Sequence, residues 1–447
     1  SVPKLKAEPS SFITKMQTQA SLAAASASPA FSFSSFNFRD PKSTLFILLS
    51  FSLLSILLIV FLSSSSSSPS HSGPDPFLFP SHQTKRIIFH KTTQSDPAPP
   101  SIAYLISGSR GDWNRVLRLL LATYHPRNHY LLHIDPFAPH ADRERLALAV
   151  QSNPIFRAAQ NVDVIGKPDF AYFKGSSPVS FTLHGASILL RLSVKWNWFI
   201  SLSADAYPLV TPDDLLHILS FLPKDVNFVN HSSYIGWTES RKLRPIIVDP
   251  GLYLSEGTEM FFATQKRDYP DAFRLFTGTP FFILSRKFME FCVMGEDNLP
   301  RTLLMYFANT PKSLSSYFPT VLCNSRRFSR TIVNYNLLYN TFDKPFIDEP
   351  RVLNTSDFNG MVSSGAAFAR KFQPSDPVLD LIDEKILGRS PESVVPGGWC
   401  LGEPANVTCS VWGDADILRP GPGSRRLEKA IVDLLSNGTL RSPLCKF

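Results

Sequence analysis

The chain has 447 residues, 43% of them hydrophobic and 12% aromatic, with a formal net charge of +8 at pH 7. This length and apolar content suffice for a large buried core, so a folded body is expected. The Lys and Arg residues are spread along the chain and form no basic stripe on a predicted helix, which argues against nucleic acid as a partner.

The first hundred residues divide into three segments by composition. Residues 1–44 precede an uncharged apolar run at 45–62, which would span about 27 Å as a helix, enough for a Golgi bilayer. Basic residues lie before this run and none follows it until Lys85, which predicts a cytosolic N-terminal segment and a transmembrane anchor. A cleaved signal peptide is the alternative. Residues 63–100 are rich in Ser and Pro and predict a stem, followed by a lumenal domain over 101–447.

From residue 102 onwards, strand patterns alternate with helix patterns. Strands are predicted at 102–106, in YLLHID, near 162–165, in WNWFISLS and in VNFVN. Helices are predicted after Asp112 as N-cap, with Arg115 and Arg118 on its outer face, then around 184–194 and from TPDDLLHIL. His184, inside an apolar helix, is expected to be a buried core histidine. The alternation predicts an α/β fold, with a mostly parallel sheet and helices on both of its faces.

The five cysteines all lie in the C-terminal third, and none forms a C-x-x-C pair. Zinc and thioredoxin-type chemistry are therefore not favoured, and disulfides are expected in an oxidising lumen. Cys400 and Cys409 are the favoured pair, and the odd count leaves at least one thiol without a partner in the chain. N-glycosylation sequons, which support a lumenal location, begin at Asn230, Asn354, Asn406 and Asn437.

Polar residues stand where the first two predicted strands end, which is where ligands bind in such sheets. Ser107 lies in the loop SGSRG, which lacks the glycine patterns of P-loop enzymes and of dinucleotide-binding folds. His133 and Asp135 end the second strand, where they are able to hydrogen-bond a base or a ribose. An ordinary turn and ordinary solvation of the strand ends are the alternatives.

No D-x-D motif stands at the end of the strongest strand, where it would bind a metal through hard oxygen ligands. The run there is Asp205 followed by Ala and Tyr, and the D-x-D of residues 414–416 is interpreted as a turn in the tail. Without a metal, a leaving diphosphate needs fixed cations. Arg370 and Lys371 of FARKF are able to supply them, the alternative being an ordinary solvated basic pair.

A set of motifs resembles the plant branch of glycosyltransferase family fourteen, the core-2/I-branching enzyme family. Read together and in chain order, these motifs are AYLISG, YHPRN, H-x-D, WFISLSA, YPLVTPDDLL, IIVDPGLY, DNLPRTLLMYF, FARKF, GGWC and RPGPGSRRL. The resemblance covers about residues 101–427. It implies a GT-A-type nucleotide-sugar fold and inverting, metal-independent transfer from a UDP-sugar without another cofactor. For the best-known plant members it implies transfer of glucuronic acid to galactan chains of arabinogalactan proteins. Arg370 and Lys371 match residues that hold the UDP diphosphate, and Asp135 matches one that lines the uridine site.

Two departures from the family pattern are visible. Ala206 stands where members usually carry Asp before Tyr-Pro, and Ser315 stands where they carry the catalytic-base glutamate of S-P-E-G-Y-F. A serine does not accept a proton as a carboxylate does near pH 7. Another carboxylate would then act as the general base, and the first candidates are Glu296 and Asp297. Further acidic candidates are Asp249, Glu256 and Glu259.

Two other functions stay open beside glucuronosyl transfer to a glycan or proteoglycan acceptor. One uses the same fold with another donor, such as UDP-xylose or UDP-N-acetylglucosamine. The other is a catalytically silent Golgi protein that binds glycan or forms a complex with other Golgi transferases. All three share the predicted placement, as a single-pass type II protein of the Golgi membrane with its folded domain in the lumen.

Overall fold

The computed structural model describes residues 98–446, except 236–240, 242, 254–258, 296, 344–348, 402–408, 410 and 437–443. The predicted cytosolic segment and anchor, and nearly all of the predicted stem, lie outside the described residues. The same holds for four candidate residues: Glu256, Glu296, Asn406 and Asn437. Within the described part of the chain, no helix has the length and apolar character needed to cross a membrane.

The described strands, in chain order, are β1 (Ile102–Gly108), β2 (His129–Ile134), β3 (Val162–Val164), β4 (Trp198–Ser203), β5 (Ala206–Pro208), β6 (Asn227–Ser232), β7 (Pro245–Val248), β8 (Phe261–Lys266), β9 (Thr277–Ser285), β10 (Ile332–Val333), β11 (Leu338–Tyr339) and β12 (Phe368–Arg370). They form a seven-stranded sheet in the order β10-β6-β9-β4-β1-β2-β3, a three-stranded sheet β11-β12-β5 and the pair β7-β8. In the large sheet only β9 runs antiparallel to its described neighbours, so the predicted mostly parallel sheet is confirmed.

The described helices are α1 (Trp113–Thr123), α2 (His140–Ser152), α3 (Pro154–Ala159), α4 (Ser177–Leu192), α5 (Pro212–Ser220), α6 (Arg286–Met294), α7 (Asn298–Phe307), α8 (Leu314–Asn324), α9 (Phe358–Ser363), α10 (Pro377–Ile382) and α11 (Pro422–Ser436). Along β1, Tyr104 and Ile106 pack into a core with α1, α2, α5 and α11, whereas Ala103 and Leu105 pack into a second core with α4, α6, α7 and α8. Because side chains alternate along a strand, each face of the sheet has its own apolar layer. Helices cover both faces, as predicted.

Two side chains lie elsewhere than expected. His184 is exposed, because α4 buries the face that carries Leu183, Ala186 and Leu189; its Nδ1 lies 2.5 Å from Asp169 Oδ2. Arg118 is not on an outer face, since its Nη2 lies 2.6 Å from the buried Asp383 Oδ2. The partner is 265 residues away in sequence, so no local pattern identifies it.

Two disulfides are present among the described cysteines. One joins Cys400 to Cys409, the pair that the sequence favours. The other joins Cys323 in α8 to Cys445 near the C-terminus, across a sequence separation of 122 residues. Cys292 is buried and free, which accounts for the odd cysteine.

Candidate active site

A cavity of about 290 Å³ opens at the carboxyl ends of β1, β2 and β4, and we call it the strand-end cavity. Four of the five residues predicted to bind a donor line it: Ser107 near the end of β1, His133 near the end of β2, Asp135 directly after β2, and Arg370 from β12. Asp205, which follows β4, lines it as well. Parallel strands bring their carboxyl ends to one edge of the sheet, and this explains why residues far apart in sequence meet here.

His133 offers an uncharged ring to the strand-end cavity. Its Nε2 lies 3.0 Å from the Asp169 carbonyl oxygen, and its ring packs against Phe181 at 4.5 Å between centroids. Burial lowers the pKa of His133 to about 4, so the imidazole is neutral at neutral and mildly acidic pH. Its Nδ1 is buried and has no hydrogen-bond partner in the described structure, so it is available to a polar ligand.

Asp135 is half-buried beside His133. One carboxylate oxygen accepts a hydrogen bond of 2.8 Å from the Phe137 backbone N–H. Burial raises the pKa of Asp135, because the charged form loses hydration, and the Phe137 hydrogen bond opposes this shift. The exposed ring of Phe137 packs at 5.1 Å from Phe170. A carboxylate next to an aromatic wall is suited to the hydroxyls and the flat base of a nucleoside.

Arg370 is the central cation of the site. Its Nη2 donates a hydrogen bond of 3.1 Å to Asp205 Oδ2, and the Ser203 hydroxyl donates to the other oxygen of the same carboxylate. Arg370 Nε is buried and has no partner among the described residues. A buried donor without a partner costs about 1–3 kcal/mol, so this atom marks a place where a ligand would be stabilised.

Lys371, the second cation predicted for the donor, lies outside the strand-end cavity. It pairs with Glu349 at the surface, with Nζ 3.1 Å from Oε2. The strand β12 ends at Arg370, and Lys371 lies beyond it. Arg115 supplies a further cation to the cavity, held by Asp112 at 2.9 Å and by the Phe372 carbonyl oxygen at 3.0 Å.

A second cavity, of about 430 Å³, adjoins the first at Arg370, which lines both; we call it the outer cavity. It lies between the N-terminus of α8 and the ends of β6, β9 and β11, and Ser315 is part of its wall. Exposed rings of Phe173 and Tyr234 line it together with hydroxyl and amide side chains. Among the described residues that line it, none is a carboxylate.

The acidic candidates for a general base do not line the outer cavity in the described structure. Asp297 is the exposed N-cap of α7 and accepts a 2.9 Å hydrogen bond from the Leu299 N–H. Asp249 is fully buried, and it accepts hydrogen bonds from the backbone N–H groups of Ser176, Ser177 and Gly251 at 2.7–2.9 Å. Those bonds hold the start of α4 and leave Asp249 no access to a substrate. Glu259 is exposed and lines neither cavity.

Among the described residues, the carboxylates near the site are not part of any cluster of three or more side chains close enough to hold one metal ion. Asp205 is the single carboxylate that follows β4, and both of its oxygens accept hydrogen bonds from side chains. In the D-x-D of the tail, Asp414 accepts a hydrogen bond of 2.8 Å from the Asp416 N–H, and Asp416 pairs with Arg127, as expected of a turn. His231 lies near Cys323 and Cys445, but these two sulfurs are bonded to each other.

Comparison with known proteins identifies the family. The Core-2/I-branching enzyme pattern matches residues 102–362. The chain is 49% identical to beta-glucuronosyltransferase GlcAT14A of Arabidopsis thaliana, over 78% of this chain and 79% of that protein. The chain belongs to the Core-2/I-branching family and is a glycosyltransferase. The resemblance stated from sequence motifs is thereby confirmed.

Other matches are more distant. Beta-glucuronosyltransferase GlcAT14C of Arabidopsis thaliana is 42% identical over 82% of this chain and 91% of its own length. Xylosyltransferase 1 of Rattus norvegicus is 26% identical over 69% of this chain and 37% of its own length. Among solved structures, mouse xyloside xylosyltransferase 1 matches 60% of this chain and 97% of its own, at 12% identity and a TM-score of 0.27.

Proposed function

We propose that this protein is an inverting, metal-independent enzyme of the GT-A type that transfers glucuronic acid from UDP-glucuronate to β-galactan chains of arabinogalactan proteins. The names of three relatives that are 42–49% identical to this chain support glucuronosyl transfer. The observation that carries the proposal is the position of Arg370, which lines both the strand-end cavity and the outer cavity. A donor in the first cavity would therefore place its diphosphate next to an acceptor in the second.

The strand-end cavity suits a nucleoside diphosphate. His133 and Asp135 offer a neutral ring and a carboxylate for the nucleoside, and Arg370 Nε offers an unpaired donor for the diphosphate. Negative charge grows on the diphosphate as the bond to the sugar breaks, and a fixed guanidinium stabilises that charge without reorganisation. Both oxygens of Asp205 are engaged, so this carboxylate is poorly suited to hold a metal ion. This division of roles supports metal-independent transfer.

The outer cavity suits a neutral sugar chain. Aromatic rings of Phe173 and Tyr234 offer flat apolar surfaces to the C–H faces of hexoses, while hydroxyl and amide groups offer partners for the sugar hydroxyls. The described wall has no carboxylate that would repel an anionic donor sugar such as glucuronate. This combination favours galactan as the acceptor.

Ser315 supports a second candidate function. It stands in the wall of the outer cavity, half-buried, at the position where the family pattern has its catalytic-base glutamate. The loss of a general base lowers a rate by roughly 100-fold to 10,000-fold. The second candidate is accordingly a weak or silent member of the family that binds donor and glycan, alone or in a complex with other Golgi transferases.

The placement in the cell is part of the proposal. The apolar run at 45–62 and the basic residues before it favour a type II anchor in the Golgi membrane, with the folded domain in the lumen. Protease treatment of intact microsomes should then spare the folded domain. Digestion of that domain without detergent would contradict this orientation.

One assay separates the candidates. The full chain is purified in detergent and incubated with a β-galacto-oligosaccharide and, in turn, UDP-glucuronate, UDP-xylose and UDP-N-acetylglucosamine, with and without EDTA. We expect a product with UDP-glucuronate that carries a β-linkage and forms in EDTA. A product with another donor alone would identify that donor, and dependence on manganese would contradict metal independence. Binding of UDP without any product would favour the silent protein.

A further inference from the structure

Asn230 occupies an unexpected place for a glycosylation sequon. It lies in strand β6, and its exposed side chain lines the outer cavity together with Ser315 and Arg370. Accepted sequons are typical of surface loops. No hydrogen bond joins the Asn230 side-chain amide to another described residue, and the side chain is exposed to the cavity.

The local backbone explains why Asn230 faces the cavity. The β6–β9 ladder pairs Val229 with Phe282 and His231 with Gly278, so residues 279–281 of β9 stand opposite Asn230 alone. Pro280 in that stretch has no N–H to give to the ladder. A Cβ on Gly278 would lie 2.1 Å from the Asn230 carbonyl oxygen, so the close approach of the strands requires glycine there. Such bulges redirect side chains and are common beside active sites.

Other contacts hold this irregular segment in place. The His231 N–H donates a 2.7 Å hydrogen bond to Asn334 Oδ1, and the His231 ring is buried on the opposite face of the sheet. Val229 is buried on the same face as His231, so β6 is anchored on both sides of Asn230. The backbone therefore directs the Asn230 side chain towards the cavity, and no hydrogen bond to another described side chain occupies its amide.

We propose that Asn230 is an acceptor-binding residue whose amide hydrogen-bonds hydroxyls of the acceptor sugar, and that its sequon remains unglycosylated. This inference rests on the proposed function, because it assigns the outer cavity to the acceptor. A carboxamide has one acceptor oxygen and two donor hydrogens, which match a pair of neighbouring sugar hydroxyls. A glycan on the same nitrogen would remove one donor and fill the space that the acceptor needs.

Two measurements on the full chain test the inference. Glycopeptide mass spectrometry of protein from plant cells should find Asn230 unmodified, while Asn354, an exposed sequon outside both cavities, serves as the matched control and should carry glycan. Binding of a β-galacto-oligosaccharide to the UDP-saturated protein should weaken by about tenfold or more in Asn230→Ala, since a partner of sugar hydroxyls is lost. Affinity for UDP should stay within twofold, which also shows that the variant is folded.

The outcomes separate this inference from the proposed function. In a transfer assay, Asn230→Ala should raise the acceptor KM with little change in kcat, and Asn230→Gln, which keeps the amide, should recover part of the loss. A glycan on Asn230, or an Asn230→Ala variant that binds acceptor like the wild type, overturns the inference even when transfer is normal. Binding that depends on Asn230 without any product leaves the inference standing and overturns the enzyme proposal. A wild type that binds UDP but no galacto-oligosaccharide overturns the inference together with the proposed acceptor.

Discussion

Two groups of arginine and carboxylate side chains in this protein have the same chemistry but differ in how completely their hydrogen bonds are satisfied. In the first, Asp383 accepts hydrogen bonds from Arg118, Arg389 and Tyr207 at 2.6–3.2 Å, and the side chains of Asp383 and Arg389 are 1% and 0% exposed. In the second, Arg370 pairs with Asp205 through one nitrogen and keeps a buried Nε without a partner. A fully bonded buried network stabilises a fold, whereas a partly bonded one indicates a place for a ligand.

The elements that the two groups connect differ as well. The network of Asp383 joins α1, β5 and the segment after α10, and so fixes the second sheet to the body. Arg370 ends β12 at the junction of the two cavities. If Arg370 binds the donor as proposed, the same residue types serve stability in one place and ligand binding in the other, and substitutions should separate the two properties.

The largest expected effect is on stability. Asp383→Ala would leave the buried Arg389 without its carboxylate, which should lower the free energy of unfolding by about 3–5 kcal/mol. Asp380→Ala is the matched control, because Asp380 also pairs with Arg118 but its side chain is 64% exposed. The control should cost about 1 kcal/mol or less. Urea unfolding followed by fluorescence measures both variants, and equal losses would contradict a buried structural network.

The next effect concerns donor binding. Arg370→Ala should weaken UDP binding by about 2–5 kcal/mol, because a desolvated cation is lost from the diphosphate site. Lys371→Ala is the neighbouring control and should change the Kd less than twofold, since Lys371 pairs with Glu349 at the surface. Calorimetry in EDTA gives both values. A larger effect of Lys371 than of Arg370, or binding that requires manganese, would contradict the assigned site.

A smaller effect is expected from restoring a carboxylate. If the general base is absent, Ser315→Glu should raise transfer to a galacto-oligosaccharide by about tenfold or more, with UDP affinity unchanged. Ser315→Gln has a similar size without the charge and is the control. Normal transfer by the wild type and a neutral or harmful Ser315→Glu would instead indicate another base, and Glu296 and Asp297 would then be truncated next.

Much of the lining of the strand-end cavity was predictable from the sequence, and most of the lining of the outer cavity was not. Ser107, His133 and Asp135 follow strands with strong local patterns, and a parallel sheet brings such ends together. Arg370 carries a charge within an apolar run, which is a local signal. The position of Asn230 depends on a bulge that β6 forms with a strand about 50 residues away in sequence. The burial of Arg118 depends on a partner that is 265 residues away. Pairings of this kind leave no periodic pattern in the sequence.

The smallest expected effect is a flat pH profile for donor binding. Burial lowers the pKa of His133 to about 4, so its ring should stay neutral between pH 5.5 and 7.5. UDP-glucuronate is the right probe, because its diphosphate is a diester and lacks the phosphate ionisation near pH 6 that free UDP has. Its Kd should change less than about twofold over this range, and a step centred near pH 6.5, the usual pKa of histidine, would show that His133 gains a proton in the folded protein.

Stability should nevertheless depend on pH through the same ring. Between about pH 6.5 and pH 4 the unfolded chain binds a proton at His133 that the folded chain does not, so the free energy of unfolding should fall as the pH is lowered through this window. The slope from one such group is at most about 1.4 kcal/mol per pH unit. His133→Gln should reduce that slope. Part of the slope should remain in the variant, because the buried His125, whose pKa is lowered to about 3, contributes to it in the same way. An unchanged slope in His133→Gln, measured by urea unfolding at pH 5 and pH 7, would contradict a neutral, buried His133 in the strand-end cavity.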